Sequence, residues 1–196
     1  MLLCVLACLV PAERMGVELP KAGGVEALSM EDLKRDTWRL VEPALEGRGF
    51  GTPGYSEGVR RVVQRFEEMS LHGAFPDGFT HPAGPGTAVC GRHDGDGPVH
   101  ALFAHDDGSG VAGGALPAAL TISLAKVSDS LDGERPGIFV FCITPDLDAV
   151  QTLAGGTEAV VLQGLDLPDA VDEVDYRALR ALAESIWTEL TPRPRP

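Results

Sequence analysis

Residues 137–146 read GIFVFCITPD, and this stretch decides the fold. From Gly137 to Ile143 it is a short, unbroken apolar run. A strand wetted on one face alternates polar and apolar residues, so a continuous run marks a strand covered on both faces. Pro145 has no backbone N–H and stops the strand. Asp146 to Leu153 reads as a short helix. Upstream, Val99 to Ala104 is a second strand, and His105 to Gly110 (HDDGSG) is a loop with Ser109 as a helix cap. Val111, Leu116, Leu120, Leu124 and Val127 continue from it at helical spacing. Downstream, Glu158 to Leu162 is another buried strand. Asp175 then caps a last helix carrying Tyr176, Leu179, Leu182, Ala183, Ile186, Trp187 and Leu190. Strands alternating with helices define an α/β architecture.

The first half of the chain is helical before it is sheet-like. Ser29-Met30-Glu31-Asp32 starts a helix in the manner of a capping box, with Leu33, Thr37, Leu40 and Val41 on one face. Thr52-Pro53 supplies a cap and a first helical residue. Tyr55, Val59, Val62, Val63, Phe66 and Met69 form the stripe of the helix that follows. Residues 72–86 read as a Gly/Pro-rich loop, Thr87 to Gly91 as a short strand, and His93 to Gly97 as a turn. Cys90 and Cys142 lie in apolar runs and read as buried core thiols. No CxxC pair occurs, so a thiolate zinc site is not indicated. Trp38 and Trp187 read as core packing.

A chain of 196 residues suits one domain. Residues 29–191 are assigned to it, 13–28 to a linker and 192–196 to a tail. Residues 1–12 read as an export or lipoprotein-type leader. Leu2 to Val10 is apolar but too short to span a bilayer, and Val5-Leu6-Ala7-Cys8 resembles a lipoprotein cleavage box, though the basic start is missing. A working leader implies an exported or anchored protein; otherwise the chain is cytoplasmic. The net charge is −13, and residues 101–196 hold 15 acids and 6 bases, which is −9 of it. That sign disfavours nucleic acid and anionic membrane surfaces.

Several segments, in order, resemble one family, the co-catalytic zinc aminopeptidases of metallopeptidase family twenty-eight. Residues 40–79 resemble its "GR-x-x-GTPG" loop and helix through Gly47-Arg48, Gly51-Thr52-Pro53-Gly54 and Ser70-Leu71. VHALFAHDD resembles the strand ending in His-x-Asp, DDGSGVAG the Asp-rich turn into a helix, and GIFVFCITPD the strand ending in a Glu-Glu pair. Residues 158–190 resemble the last strand and the closing "D-Y-x-x-L" helix. The resemblance implies a three-layer α/β fold: a mixed, mostly parallel sheet with helices on both faces. It implies zinc at the carboxyl ends of the strands, a bridging water as nucleophile, a Glu as general base, and removal of N-terminal residues from peptides.

The chain departs from that pattern at the reactive positions. The His-x-Asp and Asp-rich motifs collapse into the single stretch FAHDDGSGVAG, so one metal position is lost. Pro145 stands where the general base belongs, and it has no proton-accepting side chain. No histidine follows Asp146. The resemblance leaves His105, Asp107 and Asp146 as metal-ligand candidates and no catalytic residue. The reading is a shortened relative without peptidase turnover, acting on a peptide or protein partner as a binding module. The alternative is a hydrolase with one metal held by those three residues. A trimmed sheet also leaves an apolar edge suited to a second copy of the chain. His93, Asp94, Asp96 and His100 read as a polar hairpin turn, His72 and His81 as surface residues, and Arg48 as a loop brace.

Overall fold

The computed structural model describes residues 24–42, 45, 49–108, 114–131, 135, 137–150, 153, 159–162 and 170–191. The leader, most of the linker, Gly47-Arg48, Ser109, Val111 and the tail lie outside the described residues. Four α-helices are described: α1 (Met30–Val41), α2 (Pro53–Glu68), α3 (Leu116–Asp129) and α4 (Tyr176–Leu190). The strands are β1 (His72–Gly73), β2 (Thr80–Ala83), β3 (Gly86–His93), β4 (Val99–His105), β5 (Ile138–Thr144) and β6 (Ala159–Leu162).

The helix starts follow their caps. Ser29 Oγ accepts the N–H groups of Glu31 and Asp32 at 3.2 and 3.4 Å. Thr52 Oγ1 accepts from Tyr55 at 3.1 Å, with Pro53 leading α2. Asp175 Oδ1 accepts from Arg177 and Ala178 at 2.9 and 3.2 Å. Each such cap satisfies donors that the first turn leaves without helical partners, worth about 1 kcal/mol.

The six strands form one mixed sheet in the order β1-β3-β5-β4-β6, with β2 also on β3. β4 runs parallel to both β5 and β6, while β3 pairs antiparallel with β5, β1 and β2. The mixed α/β architecture is therefore as the sequence implied. Residues 72–86 are not all loop: a hairpin pairs Thr80 with Val89 and Ala83 with Gly86. Its polar face is exposed and Pro82 sits at its rim, so no apolar pattern announced it. After β5, Asp148–Val150 form a turn and Leu153 is in 3-10 conformation, while residues 151–152 of the short helix expected from Asp146 to Leu153 lie outside the described residues.

Alternation along the strands divides two cores. Val89, Leu102, Phe139, Phe141, Ile143 and Leu162 belong to the core built with α1, α2, α3 and α4. Ala88, Cys90, Ala101, Phe103, Val140 and Cys142 belong to the second face, with Ala83, Phe75, Leu147, Val150 and Leu153. Among the described residues, the helices all pack on the first face. Helix α3 is buried nearly all round, between the sheet and α1. Its Leu116, Leu120, Ile122 and Leu124 are at most 1 % exposed. Each buried side chain of this kind contributes about 1.5–3 kcal/mol. Trp187 is in the core, stacked on Phe139, whereas Trp38 is 44 % exposed on the outer side of α1. The α1 stripe runs through Leu33, Thr37 and Leu40, and Trp38 falls off it.

Candidate functional site

Parallel pairing of β4 and β5 puts their carboxyl ends side by side. The register places His105 opposite Thr144. The pairing continues one residue further, where the Asp106 N–H donates to the Thr144 carbonyl at 2.9 Å. His105 is half-buried, Asp106 is 4 % exposed and Asp107 points outward. Asp106 Oδ1 accepts the Gly108 N–H at 3.1 Å and closes the turn on itself. Such an Asx turn is what an Asp-Asp-Gly run favours after a strand.

The β5 tip is built in the same way. The Thr144 hydroxyl donates to the Asp146 carbonyl at 2.9 Å and accepts the Asp146 N–H at 3.1 Å. Asp146 Oδ1 accepts the N–H groups of Asp148 and Ala149 at 3.1 and 3.3 Å. The candidate ligand is thus committed, on one oxygen, to holding its own turn. Pro145 lies between these two anchors, half-buried.

Two segments crowd the tips. The turn between β2 and β3 passes Asp146 so closely that a Cβ on Gly84 would stand 3.4 Å from the Asp146 Cβ. The Phe50 ring lies on Gly108, where an added Cβ would meet three ring atoms at 3.1 Å. Phe50 also packs edge-on against Tyr55 at 5.1 Å. The Tyr55 hydroxyl accepts the Thr87 N–H at 2.9 Å and donates to the Thr87 carbonyl at 3.2 Å. The Gly-rich loop before α2 is thereby pinned to the start of β3 and to the β4 turn.

Among the described residues, no three His, Cys, Asp or Glu side chains come together closely enough to hold a metal ion. His105, Asp107 and Asp146 occupy the neighbouring ends of β4 and β5. Residues 109–113, 154–158 and 163–169 fall outside the described residues. A tight zinc site needs three protein ligands and an open position.

Other candidates from the sequence resolve differently. His93 is not in a turn: it ends β3, is 2 % exposed, and bridges Ser128 Oγ at 3.0 Å and the Met69 carbonyl at 2.9 Å. Burial holds its pKa below 6.5, the Met69 carbonyl opposing, with Arg135 lowering it further and Asp129 raising it. His100 stacks on Phe139 at 4.9 Å, and His72 and His81 are exposed as expected. Cys90 and Cys142 are buried, but not as thiols: they form a disulfide across β3 and β5. Neither sequence spacing nor composition reveals the register that makes them partners. A cleft of about 310 Å³ between α1 and α2 is lined by Asp36, Arg39, Glu57, Arg61, Arg65 and Glu68 and by none of the strand-tip residues. Ion pairs from α2 to α1 and its C-cap line it, among them Arg65 with Asp36 and Arg61 with Glu42.

The fold is a mixed α/β sheet domain, and it is similar to that of exopeptidases of known structure. A Zn-dependent exopeptidase from Parabacteroides distasonis ATCC 8503 superposes over 85 % of this chain and 99 % of its own, with TM-score 0.58 and 9 % identity. A leucine aminopeptidase precursor from Bacteroides thetaiotaomicron VPI-5482 is similar over 62 % of this chain, at TM-score 0.47 and 12 % identity. Porphyromonas gingivalis glutaminyl cyclase is similar over 60 %, also at TM-score 0.47 and 12 % identity. The chain spans about half the length of these last two, 48 % and 45 %. No family model and no curated protein sequence matches the chain. At such identities the likeness is one of fold, and fold does not by itself assign chemistry.

Proposed function

We propose that this chain is an aminopeptidase-type domain that binds peptides or a protein partner without hydrolysing them. The observation that carries this is the β5 tip. Where a water-activating carboxylate is expected, Pro145 offers no proton acceptor. The following residue, Asp146, uses an oxygen to hold two backbone N–H groups. Asp107 is exposed, and Phe50 and the Gly84 turn crowd the tips. On this reading the chain is a shortened and degenerate relative of metallopeptidase family twenty-eight. The zinc that the family uses is held weakly or not at all, and no step is routed through it.

The test is one titration with two readouts. Peptides with free N-termini, one of them beginning with Gln, are added in the presence of zinc, and calorimetry and peptide mass are followed together. Binding heat with unchanged peptide mass is the expected result. Loss of an N-terminal residue, or of ammonia from the Gln peptide, that stops with chelator would overturn the absence of turnover. Absence of any binding heat would overturn the peptide-binding role.

A second reading has one observation in its favour, the parallel register that brings His105 and the β5 tip together. It is a hydrolase with one metal on His105, Asp107 and Asp146. It requires stoichiometric zinc, cobalt or manganese in the purified protein, lost in His105→Ala and Asp146→Ala.

A further inference from the structure

Cys90 and Cys142 are register partners in the antiparallel pair β3–β5, with Cα atoms 4.2 Å apart and both side chains fully buried on the second face. Two structural halves meet at this bond. β3 carries the antiparallel part of the sheet, β1 and β2, while β5 begins the parallel part, β4 and β6. Cys142 also lies two residues before Thr144. The Thr144 carbonyl holds the Asp106 N–H, and its hydroxyl brackets Asp146. On the opposite strand, Cys90 lies three residues after Thr87, which the hydroxyl of Tyr55 grips from the first turn of α2, against which Phe50 packs. The bond therefore sits directly behind both groups that shape the strand tips.

We infer that the Cys90–Cys142 bond is a redox lock on the strand tips: the chain reaches its working geometry where thiols are oxidised, and reduction loosens the β5 end. The lock closes by exchange with a thiol–disulfide oxidoreductase in its disulfide form. One cysteine thiolate attacks a carrier sulfur and expels the other carrier sulfur as thiolate. The second cysteine then attacks the mixed disulfide and releases the carrier. The carrier takes up two electrons and two protons as its dithiol, and the chain gains one S–S bond. Both sulfurs are fully buried in the formed sheet, so oxidant and reductant reach them when β3 and β5 open. Persistent bonds of this kind belong to oxidising compartments, the exported side of the two localisations that the sequence left open.

The test uses the full chain matured in an oxidising compartment. Denatured without reductant, alkylated, digested and mapped, it should yield a cross-linked peptide pair containing Cys90 and Cys142. On reduction the melting temperature should fall by about 10 °C. Hydrogen exchange at the Asp106 and Asp146 amides should then rise by about tenfold or more. A Cys90→Ala/Cys142→Ala variant should match the reduced protein; if it fails to fold, the reduced wild type gives the same readout. Alkylation of both cysteines without reductant would overturn the inference. So would a reduction that leaves melting temperature and exchange unchanged.

Discussion

Single residues at the strand tips are legible once their neighbours are known. Gly108 has a φ of +71°, in the left-handed region, and three atoms of the Phe50 ring would stand 3.1 Å from a Cβ there. Gly108→Ala should cost about 1–2 kcal/mol for the backbone alone. Denaturant unfolding should show that loss, and Phe50→Ala should recover only the part due to the ring contact. His93 gives a prediction of opposite character. Its folded pKa lies below the unfolded value near 6.5, because burial disfavours the imidazolium. The unfolded chain therefore binds this proton more readily, and the associated stability is present above pH 6.5 and lost as pH falls below it. Thermal melts between pH 7.5 and 5.5 should show the decline, and His93→Gln should flatten it. From sequence, His93 was a turn residue because Asp94-Gly95-Asp96-Gly97 follows it. The turn begins one residue later, and the imidazole is instead the polar link between β3, the end of α2 and α3.

At the scale of elements, the sequence showed what carries its own period or cap. GIFVFCI is a central strand with neighbours β3 and β4, and Ser29, Thr52 and Asp175 start their helices. The hairpin of β2 was hidden because a polar edge strand has no apolar run to show. The disulfide was hidden because register is a tertiary property: Cys90 and Cys142 are 52 residues apart. A loop of that size, closed covalently, stabilises by about 4 kcal/mol in the chain-entropy picture. Equilibrium unfolding of oxidised and reduced protein should differ by a value of that order. The first face of β5 is the other strong dependence. Phe141 is fully buried beneath the helices, and Phe141→Ala should cost about 3–5 kcal/mol by the same measurement. The Glu57 pairs on α2 differ in kind. Hydrogen bonds from Arg60 and Arg61 pull its carboxyl down to about 2, yet the group lies at the solvent-facing surface and serves helix-surface order more than stability.

For the whole molecule, the architecture is what the comparison with known structures supports. Two parallel strands end side by side, a loop and a hairpin turn close over them, and an exopeptidase of known structure follows the same path over 85 % of this chain. The sequence pointed to His105, Asp107 and Asp146 at those ends, and the strand ends are indeed adjacent. It did not show that Asp106 is the buried one of the two carboxylates in its run, or that Phe50 and Gly84 crowd the tips. Those facts depend on which way a turn folds after its strand stops. Among the described residues no helix is long and apolar enough to cross a membrane. The proposed function requires that this scaffold position a peptide without activating water. Release of nitroaniline from aminoacyl-nitroanilides, with zinc supplied and with chelator, measures it most directly. The account expects both rates to equal the buffer blank, whereas zinc-dependent release that vanishes with chelator and in Asp146→Ala would contradict it.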